Sequence, residues 1–506
     1  MRHFLLFLVC SLFLAAIAFA EPVDIGNRRE LLVDDFLIES MSGSVELRMH
    51  HPQPQEIAIV HDAPWEGTGC GYHSIFHDGE KYRMYYKAWH IIVGGGEKKL
   101  TTKNRYLCYA ESEDGKTWTK PKVGLFDYEG SKDNNIVIAD EGPWGEARPD
   151  GAHTAVFLDE NPDCPADEKF KAIARSHKPG GLLVMKSADG VKWSMLTEKP
   201  GITAGAFDSQ NLAFWDPVRS EYRAYWRIFS NNIRDIRTAT SKDLIKWSPH
   251  QDLSYSEAPP EHLYVNQIKP YHRAPHIFVG FPTRYVDRGW DSPSMEKLPE
   301  VEHRKSRSAI SPRYGTAVTE GLLMTSRDGL KFHRWPEAFL RPGPQRPGQW
   351  KYGDNYIAWH AVETESDLPG APNELSLYAT EGYWTGEQNE LRRYTLRLDG
   401  FVSASAKASG GELVTKPIVF SGEELSLNFS SSAVGDVKVA IKNADGSAIP
   451  GLTLDDCPPV FGDSVDRVVQ WKDGTDISAL AGKPVRLQFF LSDADLFSFQ
   501  FRDRAK

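Results

Sequence analysis

Read for the alternation of apolar and polar positions, the chain is a succession of short strands. Runs such as KYRMYYKAW and RYLCYAES, EYRAYWRIF and IRTATS, or HIFVGF and GLLMTS are rich in aromatic and β-branched residues and stop at Gly, Asp or Asn. No long helical period follows the first twenty residues. The strand pairs end on a recurring punctuation: SEDGKTW (112–118), SADGVKW (187–193), SKDLIKW (241–247), SRDGLKF (326–332) and an eroded ATEGYW (379–384). Ser and Asp bond nearby backbone N–H groups and Gly accepts positive φ, so each copy predicts a tight turn, and the aromatic that follows anchors it to the sheet. The closest copies are about 50 residues apart, the size of a four-stranded propeller blade.

The pattern predicts an all-β protein, a five-bladed β-propeller over 65–400 followed by a β-sandwich over 401–506. Residues 21–64 are a lead-in whose strand closes the ring or runs beside it. Blades open at GYHSIF (71–76), DGAHTAVF (150–157), FDSQNLAFW (207–215), HLYVN (262–266) and YGDNYIAW (352–359), polar residues leading into an apolar run each time. Inner strands of a propeller line its channel, so those leading ends bring polar groups of different blades together. Two long gaps between turns are filled by a glycine-rich basic insertion (93–104) and a charged stretch (286–316). After 398 the segments GELVTKPIVF, EELSLNFSSS, DVKVAIKNADG and PVRLQFFLSD alternate at strand period without the turn motif.

At 506 residues the chain has room for two or more domains. Residues 1–20 have a short positive start, an apolar run and Ala-Phe-Ala before Glu21, which predicts a signal peptide cleaved after Ala20, a secreted or periplasmic product and no membrane span thereafter. A net charge of -10 without a basic stripe argues against a nucleic-acid partner. Of Cys70, Cys108, Cys164 and Cys457, the first two fall in one blade and are the pair to test for a disulfide. Cys-x-x-Cys is absent, so a thiolate zinc site has no support; no cofactor is expected, and a metal in the channel is left open by the sequence. Oligomeric state is left open by the sequence.

Aromatic residues make up 11% of the chain, many beside turns, where rings stack on sugars or pack between blades. Glycoside hydrolysis needs two carboxyl groups flanking the scissile bond. Asp150, Asp208 and Asp354 stand at the leading ends of inner strands in three blades, and Glu66 just before blade one is a fourth candidate. His73 and His153 occupy matching places in blades one and two. With Trp65, Asn211, Arg227 and Asn266 they are candidate contacts to a carbohydrate substrate. Arg83, Arg175, Arg227 and Arg284 either meet an acidic or sulfated sugar or pair with carboxylates between blades.

SKDLIKW, the Ser-x-Asp-Gly-x-x-Trp copies and HDGEKYRMYYKAW resemble five-bladed propeller glycoside hydrolases of the invertase, levanase and arabinanase type. The resemblance implies a propeller, a C-terminal β-sandwich and hydrolysis of a polysaccharide or oligosaccharide by carboxylate acid/base catalysis. It places Asp208 near the family's general acid and Asp150 near its transition-state-stabilising Asp. The family's Asn-Asp-Pro-Asn-Gly entering blade one is here Gly69-Cys70-Gly71-Tyr72-His73, with no carboxylate at the nucleophile's place unless Glu66 reaches in from its loop. That departure makes a noncatalytic carbohydrate-binding propeller the alternative; a sialidase-like enzyme fits less well, its turn motif being one residue longer. The DSQN and GELVTKP segments are similar to exported bacterial proteins, a resemblance that brings no activity.

Overall fold

The computed structural model describes residues 21–93, 100–256, 258–384 and 389–504; the expected signal peptide lies outside them. The chain divides into two units, one of residues 31–34 and 47–403, the other of residues up to Glu30, Asp35–Glu46 and Ala404 onward.

The larger unit is a five-bladed propeller. Blade one pairs Gly71–His77, Tyr82–Val93, Leu100–Ser112 and Ile136–Ala139 in order from the axis. Blade two pairs Pro149–Leu158, Phe170–His177, Gly180–Ser187 and Ser194–Met195. Blade three pairs Leu212–Asp216, Glu221–Ser230, Ile233–Ser241 and Gln251–Asp252. Blade four runs Lys269–Tyr271, Ala274–Gly280, Met324–Ser326 and Lys331–Arg334, with Ser254–Ser256 added in parallel at its rim. Blade five has Val362–Thr364, Glu374–Glu381 and Asn389–Arg397, and takes its outer strand, Gln53–His61, from the start of the chain. The lead-in therefore closes the ring.

At the axis, Trp359 N donates to His73 O at 2.8 Å and Ile75 N to Trp359 O at 2.6 Å, joining blades five and one. Gln210 Nε2 donates to Tyr72 O at 2.9 Å, and Gln267 Nε2 to both Gln210 Oε1 and Ile357 O at 2.8 Å. Two neutral amides from blades three and four thus satisfy otherwise stranded carbonyls where the inner strands meet.

The repeated turn joins the third and fourth strands of blades one to four. In the first copy, Asp114 Oδ1 accepts from Lys116 N and Thr117 N at 2.8 Å, and Ser112 Oγ from Gly115 N at 2.9 Å. Gly115, Gly190 and Gly329 have φ of +72°, +76° and +76°; Leu244 holds the same place at +63°. A tyrosine on the second strand of the preceding blade then grips the turn. Tyr85 OH donates to Gly190 O at 3.0 Å, Tyr225 OH to Gly329 O at 2.8 Å, and Tyr378 OH to Gly115 O. The motif is a clasp between blades, and Arg83, which donates to Asp189 O at 2.7 Å and pairs with Asp78, belongs to it. Arg284 likewise pairs with Glu261 and Glu320.

Several expectations need correction. ATEGYW is not a fifth copy: it follows the second strand of blade five, and Glu381 binds Arg392 and Arg346 at 2.7 Å instead of capping a turn. The corresponding turn is at Asp399 (φ +61°), whose carboxylate accepts from Tyr271 and Arg273. The basic insertion lengthens the second hairpin of blade one, Val93 pairing with Leu100; its tip lies outside the described residues. The 286–316 stretch is folded, with helices Val301–Ser308 and Pro312–Thr316 carried on the hairpin Thr283–Asp287 and Ala317–Gly321. Cys70, Cys108, Cys164 and Cys457 are all free thiols, so the pair singled out for testing, Cys70 and Cys108, is not bridged.

In the smaller unit, Glu424–Asn443 and Val485–Arg502 pair antiparallel over nearly their whole length, broken by an irregularity between Ser431 and Asp436. Leu425, Leu427, Phe429, Leu487, Phe489 and Phe499 are fully buried along them, and Phe420 stacks on Phe501 at 3.7 Å between ring centroids. The lead-in contributes here too. Val23–Gly26 pairs with Ile418–Phe420, and Ile38–Gly43 with Gly411–Thr415, so the region 21–64 serves both units. No described helix is long and apolar enough to cross a membrane.

Candidate active site

Blade two's inner strand starts with a register shift between Pro149 and Thr154, and this irregular stretch turns Asp150 and His153 toward each other. Asp150 Oδ1 accepts from Ala152 N at 3.0 Å, while Oδ2 binds His153 Nδ1 at 2.8 Å. The other imidazole nitrogen lies 3.1 Å from Asp208 Oδ1, though off the line of a good hydrogen bond. Asp208 comes from the turn entering blade three. Its Oδ1 is 3.5 Å from Arg175 Nη1 and its Oδ2 is 3.8 Å from Arg227 Nη2. A line of Asp150, His153 and Asp208 thus joins blades two and three, with arginines along it. Asp150 and His153 are buried, while the Asp208 side chain is 62% exposed.

The exposed end opens into a cavity of about 650 Å3, lined in part by Asp208, Tyr264 and four arginines, Arg175, Arg227, Arg234 and Arg313. Tyr264 is the front of an aromatic cluster that extends behind the lining. Tyr72, Tyr264, Tyr285, Tyr352 and Tyr356 pack together, and the Tyr264 and Tyr352 hydroxyls meet at 2.8 Å. Lys87, on the second strand of blade one, is 2% exposed. Its ammonium stands 4.1 Å from the Tyr72 ring centroid and 4.9 Å from that of Trp89, and donates to Tyr383 OH at 3.1 Å. The helical insertion is tied down by buried arginines: Arg304 Nη2 donates to Trp350 O at 2.6 Å and Arg307 Nη2 to Tyr352 O at 3.3 Å. That anchoring brings Arg313 to the cavity, so the long loop supplies part of the site.

The electrostatics divide the carboxyls. Desolvation pushes Asp208 up, but the adjacent His153 imidazole, then the Arg227 and Arg175 charges, outweigh it and hold the carboxyl well below the usual range. Asp150, also opposed by burial, is drawn down to about 2 by His153 and Arg175. Asp140 goes the other way. It accepts from Gly151 N at 3.4 Å, and burial followed by the Asp150 charge pushes it up to about 6. Lys87 is pushed down to about 8 by burial.

Asp150, His153, Asp208 and Arg227 are therefore brought together, whereas the other sequence candidates are not. Asp354 is fully buried; its oxygens accept from Tyr383 N at 2.9 Å and Lys351 N at 3.1 Å, and burial pushes its carboxyl up to about 7. It braces the aromatic cluster from behind. Glu66 does not reach the channel mouth: it is fully buried, bound by Tyr86 OH at 2.5 Å, Lys120 Nζ at 2.7 Å and Ala63 N at 2.8 Å. Burial opposes ionisation there, but His61 and Lys120 bring the carboxyl to about 2. A carboxyl without access to substrate can act neither as nucleophile nor as base, so both assignments fall. His73 bonds His61 at 3.0 Å in the interior, and Trp65 donates to Asn135 at 2.7 Å. Asn211 donates to Phe207 O and Ser209 O at 3.0 Å, shaping the turn that carries Asp208, and Asn266 accepts from Ile268 N at 3.3 Å. None of these four lines the cavity. Trp226, which donates to Ala204 O at 2.9 Å, and Trp290, which donates to Ser308 Oγ at 3.2 Å, are engaged in the same way.

Sequence reasoning missed Lys87, Asp140, Arg234 and Arg313. Lys87 left one signal, a lysine at an inward position of the aromatic run KYRMYYKAW. Among the described residues no group of three or more His, Cys, Asp or Glu is placed to hold a metal ion.

No protein-family profile and no curated protein matches the chain. Among solved structures, an N-acetylgalactosamine deacetylase from F. plautii is similar at 11% identity and a TM-score of 0.41, over 69% of this chain and 95% of that one. An endo-arabinase from Bacteroides thetaiotaomicron is similar at 11% identity and 0.39, over 67% and 96%. A fructofuranosidase from Schwanniomyces occidentalis is similar at 12% identity and 0.37, over 90% and 99%. Likenesses this distant assign no substrate.

Proposed function

We propose that the protein is an exported glycoside hydrolase, acting on a polysaccharide or oligosaccharide at the open end of the propeller channel. The observation that supports this reading most is the line Asp150–His153–Asp208, which ends in an ionised carboxylate exposed to a 650 Å3 cavity lined in part by Tyr264, the front of an aromatic cluster. Asp208 is the carboxylate that attacks the anomeric carbon or takes a proton from water. His153, oriented by Asp150, positions it, as a buried acid–imidazole pair does for a reacting group. Its low proton affinity makes Asp208 unsuited to the general-acid role that the family resemblance gave it.

The test is a panel of polysaccharides and aryl glycosides with the chain from Glu21 onward, read as released reducing ends. Asp208→Asn should lower turnover at least about a thousandfold with an unchanged thermal melt, as expected for loss of a reacting carboxylate. Hydrolysis by this variant at the wild-type rate would remove the assignment. A second reading, a noncatalytic carbohydrate-binding propeller, is favoured by one fact: Asp208 is the one carboxylate among the described lining residues. Saccharide binding without turnover by the wild-type chain would decide for it.

A further inference from the structure

We propose that the cavity holds an oxyanion subsite, so that the sugar it accepts is acidic and carries a carboxylate or a sulfate ester. The sugar part rests on the glycosidase reading; the anion part stands on the arginines alone. Four guanidinium groups line the cavity against a single lining carboxylate, on a chain whose net charge is -10. Arg175 and Arg227 are already committed to Asp208. Arg234 and Arg313 are not: among the described residues neither has a carboxylate within 4.0 Å.

Both uncommitted groups are held by aromatic faces. The Arg234 guanidinium carbon is 4.7 Å from the Tyr285 ring centroid, 5.2 Å from Tyr264 and 5.4 Å from Phe229; its Nε is buried without a hydrogen-bond partner, and its Nη1 makes one long contact, 3.4 Å to His262 Nδ1. That of Arg313 is 4.5 Å from Tyr314, with Nη1 at 3.5 Å from Tyr285 OH and Nη2 at 3.4 Å from Tyr314 OH, both long contacts. Stacking fixes the plane of a guanidinium and leaves its N–H edge free, the geometry that grips a carboxylate or sulfate through paired hydrogen bonds. Tyr285 touches both arginines, from Thr283–Asp287 in the hairpin that carries the helical insertion, so one element aligns the two forks. A neutral glycan would leave this surplus charge unanswered.

Calorimetric titration of the chain from Glu21 onward with trigalacturonate, a sulfated galactotriose and unmodified galactotriose tests the subsite. At least one acidic trimer should bind ten times or more tightly than the neutral one, and the margin should shrink between 50 and 500 mM NaCl. Whichever acidic trimer binds identifies carboxylate or sulfate as the ligand. Arg234→Gln and Arg313→Gln should each weaken that binding at least tenfold, and Arg313→Lys, which keeps the charge and the fold but not the fork, should restore only part. Equal binding of the neutral trimer, no binding of any trimer, or wild-type acidic binding by both glutamine variants would overturn the proposal. A neutral trimer that binds best and is cleaved leaves the glycosidase standing without the subsite; an acidic trimer that binds uncleaved does the reverse.

Discussion

Replacing Lys87 by Met should make the propeller more stable at neutral pH and remove a pH dependence that the wild type shows. Burial moves the Lys87 ammonium from its ordinary 10.5 to about 8, against the pull of Cys70, Asp208 and Asp150, and among the described residues no carboxylate is in salt-bridge contact with it. Between pH 8 and 10.5 the unfolded chain keeps this proton and the folded chain does not, so stability rises with pH across that window. The gradient is about 1.4 kcal/mol per pH unit and the total about 3 kcal/mol. Below pH 8 the folded protein bears the whole penalty. Methionine removes it, and with it the bond to Tyr383 OH and the contacts to the Tyr72 and Trp89 rings, together about 1–2 kcal/mol. The net gain at pH 7 is then about 1–2 kcal/mol. Urea unfolding followed by tryptophan fluorescence at pH 7, 8, 9 and 9.5 gives the comparison, and other alkaline titrations cancel between the two chains. From pH 7 to 9.5 the wild type should gain about 2 kcal/mol relative to Lys87→Met. A difference flat to within about 0.5 kcal/mol would mean that the amine is solvated or paired, and the aromatic cage would need another reading.

Two further outcomes follow from the same geometry. A Cβ at Gly190 would lie 2.3 Å from Tyr85 Oη, whereas at Gly79 (φ +100°) nothing is within 4 Å; Gly190→Ala should therefore cost about 2–4 kcal/mol in chemical denaturation and Gly79→Ala about 1–2. Burial and the Asp150 charge raise the Asp140 carboxyl from 3.8 to about 6, so between those pH values the folded chain keeps a proton that the unfolded chain releases; stability should fall as pH rises across that window, and Asp140→Asn should flatten that slope in urea unfolding.

The blades were legible because each strand is a local pattern and each turn repeats a local bond set, from Ser112 and Asp114 to Ser326 and Asp328. Asp150, His153 and Asp208 could be nominated because leading ends of inner strands converge in any propeller. Asp354 occupies an equivalent place in the sequence, yet it accepts two backbone N–H groups of its own blade and is lost to the interior. Position along a strand does not decide which way a carboxylate turns. The arginine pair was beyond reach for a different reason. Arg313 sits on a five-residue helix in an insertion without repeat pattern, and its neighbour Tyr285 is far from it in sequence. The fifth turn was misplaced because Asp399 has lost the serine while Ala379–Trp384 retained the look of the motif.

The strand Gln53–His61 is among the first parts of the propeller to be synthesised, yet its partner, Asn389–Arg397, comes more than three hundred residues later. Until then its hydrogen-bonding edge has nowhere native to go, and bringing two such distant segments together is slow because the entropy of closing the loop precedes any reward. Until that partner is in place the ring has an open seam, and an unpaired strand edge is a template for pairing with a neighbour. Whatever machinery handles the polypeptide before that seam shuts decides how much of it ever becomes a ring.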